Sequence, residues 1–210
     1  MGDLAERTLA ALAPDGPLAA GLEGFVPRAA QNQLAQSVAD AIDDRATLVA
    51  EAGTGTGKTY AYLVPALLSG QRVILSTGTR ALQDQLYHRD LPRVRQALRA
   101  GLKTALLKGR ANYLCLYRME QAKGDPQIFK GAFSSREQVS QFQRVVAWSG
   151  RTKMGDLAEL DSLPEDSPLL PQVSSTADNC LGIECPFWSD CFVVQARQRA
   201  QTADLVVVNH

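Results

Sequence analysis

The feature that most limits the fold is a glycine-rich segment at residues 51–59, EAGTGTGKT, with a short apolar run on each side. The run before it, residues 46–50, has the length and composition of a buried strand, and the run after it, residues 60–68, is long enough for a helix. This order predicts a strand, a loop and a helix. The same alternation recurs along the chain, which favours an α/β fold with a parallel sheet covered by helices on both faces.

Other segments carry the apolar patterns on which this fold class depends. We predict further strands at residues 72–77, 104–107 and 204–208. We predict further helices at residues 29–42, 80–88 and 191–200. Between the two halves of this pattern, residues 108–199 have no clear strand, so we interpret them as an insertion. Because only two residues follow the last strand, we expect the chain to be a truncated part of a longer protein.

The composition of the glycine-rich loop suits a phosphate group. Its tail matches the P-loop signature G-x-x-x-x-G-K-T, with Ala52 in place of the first glycine. The glycines let backbone N–H groups converge on phosphate oxygens, Lys58 can neutralise the β and γ phosphates, and the Thr59 hydroxyl can bind Mg²⁺. The alternative is a flexible Gly/Thr turn. We predict Lys58 and Thr59 as catalytic residues within an ATP–Mg²⁺ site formed by Ala52, Gly53, Thr54, Gly55, Thr56, Gly57, Lys58 and Thr59.

ATP turnover requires more than this loop. An acidic strand end must hold Mg²⁺ and polarise water, and no Asp is followed directly by Glu in the 210 residues. We therefore expect the chain by itself to bind nucleotide without hydrolysing it.

Four cysteines form a second candidate site. Cys115 is followed by Cys180, Cys185 and Cys191 with four and five intervening residues between the last three. Four thiolates select zinc or an iron–sulfur cluster, but the spacing matches neither paired zinc knuckles nor the ferredoxin patterns. The alternatives are therefore either metal centre or four unconnected buried thiols.

Charge and hydropathy limit the environment of the chain. It has 22 basic and 22 acidic residues, and no apolar run approaches the roughly 18 to 20 residues of a membrane helix. The N-terminus is charged rather than apolar, so we expect a cytoplasmic protein without a membrane partner. Residues 80–110 contain eight basic and two acidic side chains, which favours a polyanion-binding surface, although a solvated helix face is the alternative.

Taken together, these segments resemble the DinG/YoaA branch of the XPD-like superfamily 2 DNA helicases, and the YoaA type most closely. The resemblance rests on six strings that span nearly the whole chain and is weakest at residues 120–175. The strings are PRAAQNQ (27–33), EAGTGTGKTYAYL (51–63), ILSTGTRALQDQLYHRDLP (74–92), LLKGRANYLCL (106–116), DNCLGIECPFWSDCFV (178–193) and ADLVVVNH (203–210).

The resemblance implies a role for each string. Gln31, or less favourably Gln33, would bind the edge of the adenine ring, because a side-chain amide both donates and accepts hydrogen bonds. The alternative is that this glutamine is an ordinary surface residue of a helix. The four cysteines would hold a 4Fe-4S cluster, and the enzyme would use ATP to move along single-stranded DNA and unwind it 5′ to 3′. We assign contacts with DNA phosphates to Thr77, Thr79, Arg80 and Arg110. For Thr79, the alternative is that it caps the helix that follows.

The resemblance also implies a domain organisation. We expect a leader at residues 1–27, the first part of a RecA-like helicase lobe at 28–109, a mostly helical iron–sulfur insertion at 110–200 and the returning strand of the lobe at 201–210. We expect the insertion to rely on its cluster for order. The expected partners are single-stranded or forked DNA and replication or repair proteins. The alternatives are a nucleotide-binding redox or iron sensor and a zinc-dependent P-loop protein.

Overall fold

The computed structural model describes residues 2–124, 136–161, 163–164 and 166–209. The chain divides into two compact units, the first formed by Met1–Leu106 with Thr202–His210 and the second by Leu107–Gln201. His210, the last residue of the string at 203–210, lies outside the described residues, as do residues 125–135 of the expected insertion.

The first unit contains a three-stranded sheet. Its strands are β1 (Val73–Thr77), β2 (Thr104–Leu107) and β3 (Leu205–Asn209), in the order β1-β3-β2. β1 and β3 run parallel, with Val73 opposite Leu205 and Thr77 opposite Asn209. The α/β prediction and the three strand predictions at 72–77, 104–107 and 204–208 are confirmed. The sheet brings the end of the chain back beside a strand that lies more than 100 residues earlier.

Helices cover this sheet and supply most of the core around it. The side chains of Leu12, Leu18, Leu63, Val64 and Val207 are fully buried together in one apolar cluster. The predicted helix at 29–42 is confirmed, and the one at 80–88 begins as expected but continues through a π turn, Leu86–Asp90. The helices are α1 (Asp3–Ala11), α2 (Pro17–Gly21), α3 (Ala29–Asp43), α4 (Lys58–Leu68), α5 (Arg80–Gln85) and α6 (Leu91–Ala97).

Residues 1–27 are part of this unit, which differs from the leader we expect from their glycines and prolines. Those residues mark the ends of the short helices α1 and α2: Gly16 precedes α2, and Pro17 occupies its first turn, where a missing N–H is tolerated. Leu12 and Leu18 are then fully buried in the core. A Cβ on Gly21 would lie 2.9 Å from the Cβ of Ala97, which shows how closely α2 approaches α6.

The strand prediction at residues 46–50 is wrong. This segment has no sheet partner in the described part of the chain, and the exposed fractions of Leu48 and Val49 are 41% and 92%. An apolar, β-branched sequence favours a strand, but a strand exists only where a neighbour pairs with its backbone groups. Ile74 on β1 is also 72% exposed, although β1 itself is paired with β3.

The second unit is mostly helical in its described residues and has its own apolar core. Side chains such as Leu114, Phe142, Val145, Leu169 and Ala196 are buried together there. This core gives the segment apolar contacts of its own, in addition to the cluster on which we expect it to rely for order. The helices are α7 (Leu116–Gly124), α8 (Arg136–Ser149), α9 (Leu170–Val173) and α10 (Phe192–Gln201). Within the described residues, no helix of either unit is long and apolar enough to cross a membrane.

Candidate nucleotide site and cysteine cavity

The glycine-rich loop leads directly into α4, whose first residue is Lys58. Gly55 and Gly57 both have positive φ angles, +77° and +82°, and Gly57 caps the helix. A Cβ on Gly57 would lie 2.1 Å from Nε2 of Gln31. Both the backbone angle and the lack of space therefore require glycine at this position. The loop precedes a helix, as predicted, but it does not follow a paired strand.

Polar contacts within the loop fold the lysine side chain over it. The Lys58 ammonium donates to the carbonyl oxygens of Ala52 at 2.5 Å and Gly53 at 2.9 Å. The Thr56 hydroxyl donates to the Gly53 carbonyl at 2.9 Å. Phosphate oxygens would compete with these carbonyls for the same ammonium group, and they carry the larger negative charge.

α3 supplies a second layer of contacts to the loop. Gln31 is only 3% exposed, and its Nε2 donates to the Gly57 carbonyl at 3.0 Å. Its Oε1 is buried without a hydrogen-bond partner among the described residues. Gln33 is exposed and faces no part of this loop in the contacts that the structure gives. The structure therefore brings Gln31, and not Gln33, to the predicted nucleotide site.

Arg28 is a loop contact that sequence reasoning missed. Its guanidinium donates to the Gly55 carbonyl, so α3 and the residue before it hold two of the loop's glycines. The signal was available, because Arg28 lies in the same short string as Gln31. Tyr62 lies on α4, and burial is the main reason that its pKa is raised.

The residues predicted to contact DNA phosphates lie in different settings. Thr77 ends β1, and its hydroxyl donates to the carbonyls of Val208 and Thr79, both at 3.2 Å. The Thr79 hydroxyl accepts the Leu82 N–H at 3.2 Å, so its capping of α5 is confirmed. The Thr79 hydroxyl can therefore still donate its proton to a further acceptor, whereas the Thr77 hydroxyl already donates to carbonyl oxygens. Arg80 is exposed.

The positive charge counted between residues 80 and 110 is only partly available to a polyanion. Arg89 forms an ion pair with Asp90 at 2.8 Å. Lys108 is buried, and its ammonium lies 2.7 Å from a carboxylate oxygen of Asp156. Arg110 donates to the Cys180 sulfur at 2.7 Å. Tertiary packing therefore buries Lys108 and brings Arg110 to a cysteine, whereas Arg89 is still 53% exposed and pairs with its neighbour in sequence.

All four cysteines line one cavity of about 150 Å³ in the second unit. Each is half-buried, and none forms a disulfide. Cys115 precedes α7, Cys191 precedes α10, and Cys180 and Cys185 flank a short 3-10 turn at Gly182–Glu184. The remaining walls are mainly apolar and include Leu114, Leu116, Ile183, Phe187, Trp188 and Val194. The sequence places Cys115 far from the other three, and the fold brings it to them.

Each of the four cysteines contributes to the lining of this cavity. No group of three or more His, Cys, Asp or Glu side chains in the described ranges is arranged to hold a single metal ion. Burial is the main reason that the pKa of the Cys115 thiol is raised. Four thiols that line one mainly apolar cavity are a candidate ligand set for a metal centre.

Comparison with known proteins adds to this geometry. Residues 30–132 match the family described as DEAD/DEAH box helicase. The chain belongs to the DEAD/DEAH box helicases, in their DinG/YoaA branch. The expected family membership is therefore confirmed. The match includes the glycine-rich loop and the Gln31 that contacts it.

Several curated relatives show how far the helicase likeness extends. The ATP-dependent DNA helicases YoaA of Haemophilus influenzae and Escherichia coli are 50% and 53% identical over 196 and 198 residues, which cover 93% and 94% of this chain. The ATP-dependent helicase DinG of Mycobacterium tuberculosis is 40% identical over 204 residues, or 89% of the chain. The chain spans about 30% of the length of these relatives.

Proposed function

We propose that this chain is the nucleotide-binding and cysteine-bearing part of an ATP-dependent DNA helicase that moves 5′ to 3′ along single-stranded DNA. The observation that carries the proposal is the loop at the start of α4, where Gln31 contacts Gly57 and Lys58 begins the helix. The relatives named as ATP-dependent helicases support the same activity for the full-length protein. Repair or replication of DNA is the corresponding cellular role.

In this proposal the chain's own groups bind and orient ATP. Lys58 leaves the Ala52 and Gly53 carbonyls to neutralise phosphate oxygens, and backbone N–H groups at the positive end of α4 add to the attraction. Thr59 contributes its hydroxyl to Mg²⁺. Gln31 keeps its amide nitrogen on Gly57, and its buried Oε1 is available to accept a hydrogen bond from an amino group such as that of adenine.

DNA binding in this proposal depends on the exposed cation at the start of α5. Arg80 follows the carboxyl end of β1, the edge at which open α/β sheets bind ligands. Thr79 can donate its hydroxyl proton to the same phosphate while it accepts from Leu82. Thr77 is the weaker candidate because its proton is engaged. These contacts are to the phosphates of the DNA backbone, so we expect binding that does not depend on the base sequence.

The cysteine cavity is proposed to hold a 4Fe-4S cluster on Cys115, Cys180, Cys185 and Cys191. Such a cluster supplies four strong metal–thiolate bonds that join distant parts of the chain. The cavity's size, its apolar walls and its four thiols fit the group. Arg110 donates to one of the four sulfurs, which also suits a negatively charged thiolate.

Two measurements test the proposal directly. For the cluster, the protein is purified without oxygen, and its iron, sulfide and visible absorption are measured. About four irons and four sulfides per chain with a brown colour are expected, whereas one zinc per chain would contradict the cluster. For the helicase, single-stranded DNA should stimulate ATP hydrolysis by the full-length protein. Hydrolysis that ignores DNA would instead favour a nucleotide-dependent sensor.

A further inference from the structure

We propose that the buried ion pair between Lys108 and Asp156 is a positioning element that holds Cys115 in place for the iron–sulfur cluster. The inference rests on the proposed cluster and adds to it two residues that are not ligands. Asp156 lies in the part of the sequence, residues 120–175, where the family resemblance is weakest. The structure nevertheless places it beside the segment that carries the first cysteine.

The pair is deeply buried and close. The Lys108 ammonium and the Asp156 carboxylate are 2.7 Å apart, and their side chains are 2% and 11% exposed. Two charges withdrawn from water in this way need each other, because an unpaired buried charge is strongly unfavourable. Such a pair also demands one geometry, whereas apolar contacts tolerate small shifts. Lys108 and Asp156 therefore fix the separation of the two chain segments on which they lie.

Backbone hydrogen bonds carry that fixed separation to Cys115. Tyr113 forms an isolated β-bridge with Asp156, and its buried hydroxyl accepts the Lys108 N–H at 3.0 Å. The Leu114 N–H donates to the Gly155 carbonyl at 2.8 Å. The segment immediately before Cys115 is thus bonded to Gly155 and Asp156 and to Lys108 at the same time.

The turn formed by Gly155 and Asp156 also contacts the helix that follows Cys191. Gly155 has a φ of +63°, and a Cβ on it would lie 2.2 Å from the ring of Phe192. Phe192 is the first residue of α10, next to Cys191. The turn at Gly155 and Asp156 therefore lies between the two chain segments that lead to Cys115 and from Cys191. A cluster ligand set must be held at fixed separations, and neighbours that orient the ligands strengthen metal binding.

The main test compares the parent chain with Asp156→Asn. Both are purified anaerobically, and iron and sulfide per chain, absorption near 400 nm and its rate of loss to an iron chelator are measured. We expect Asp156→Asn to retain less than half the iron and to lose the remaining colour at least tenfold faster. Glu120→Gln is the matched control, because it breaks the exposed pair of Glu120 with Lys123 in the same unit. It should behave like the parent.

A second variant separates positioning from folding, since Asp156→Asn removes the carboxylate charge beside the buried Lys108 ammonium and can unfold the unit. Lys108→Met combined with Asp156→Leu replaces the pair by apolar side chains. Proteins often tolerate such a replacement of a buried ion pair without loss of stability. We expect this double variant to keep the parent's helical circular dichroism and nucleotide affinity but to lose iron as Asp156→Asn does. Iron retention equal to the parent's in either variant would overturn the inference. A parent chain that takes up no iron would instead overturn the proposed cluster, and the inference with it.

Discussion

Replacing Gly57 with alanine tests the arrangement of the nucleotide loop most sharply. The new Cβ would lie 2.1 Å from Nε2 of Gln31 and 2.9 Å from its Cδ, and the backbone has a φ of +82°. The left-handed conformation costs an L-residue about 1–2 kcal/mol. Displacing Gln31 loses its hydrogen bond to the Gly57 carbonyl, worth about 1 kcal/mol. The loop conformation is thus disfavoured by about 2–3 kcal/mol.

If ATP binds this loop conformation, that penalty appears in affinity. Because about 1.4 kcal/mol corresponds to a factor of ten, binding of ATP–Mg²⁺ should weaken roughly 30- to 150-fold. Isothermal titration of the 210-residue chain measures this. Gly101→Ala is the matched control, since a Cβ there meets nothing within 4 Å and its φ is not positive. It should change the affinity by less than about twofold.

A double variant resolves the two contributions. Adding Gln31→Ala to Gly57→Ala removes the clash and leaves the backbone penalty. Gln31→Ala should therefore reduce the affinity less in the Gly57→Ala background than in the parent. Parental affinity in Gly57→Ala would show that ATP does not use the loop as the structure has it. Equal effects of Gln31→Ala in both backgrounds would show that the two residues do not interact.

Three further results are expected. Lys58→Ala should weaken ATP–Mg²⁺ binding by about 1.5–3 kcal/mol, as seen by titration, while Lys103→Ala, an exposed lysine of the same unit, should not. Arg80→Ala should weaken binding of all single-stranded DNA sequences alike and lower the log–log salt slope by roughly 0.7, and a changed sequence preference with an unchanged slope would contradict a phosphate contact. Cys185→Ser should abolish the brown colour. Limited proteolysis should then cut at residues 178–191, while the helices of the second unit stay intact because they pack on an apolar core. Cleavage throughout that unit would show that its order depends on the cluster.

Local patterns in the sequence were enough to predict much of the fold. Residues 73–77, 104–107 and 205–209 are short apolar runs between turn residues, and each is a strand in the structure. The glycines and lysine of the loop at 51–59 require a turn followed by a helix, whatever surrounds them. These features could be read directly because backbone angles and side-chain periodicity depend on neighbouring residues.

The tertiary structure determined the features that depend on contacts between residues far apart in the sequence. Residues 46–50 have the composition of a strand but no partner in the described residues, so composition alone misleads. The sequence counts Lys108 and Arg110 as surface cations, yet one is buried against Asp156 and the other donates to Cys180. Spacing likewise leaves the metal at the cysteines open, and only the fold shows that the four thiols surround one cavity. Burial, pairing and convergence are properties of contacts between residues far apart in the chain, and a single sequence does not specify those contacts locally.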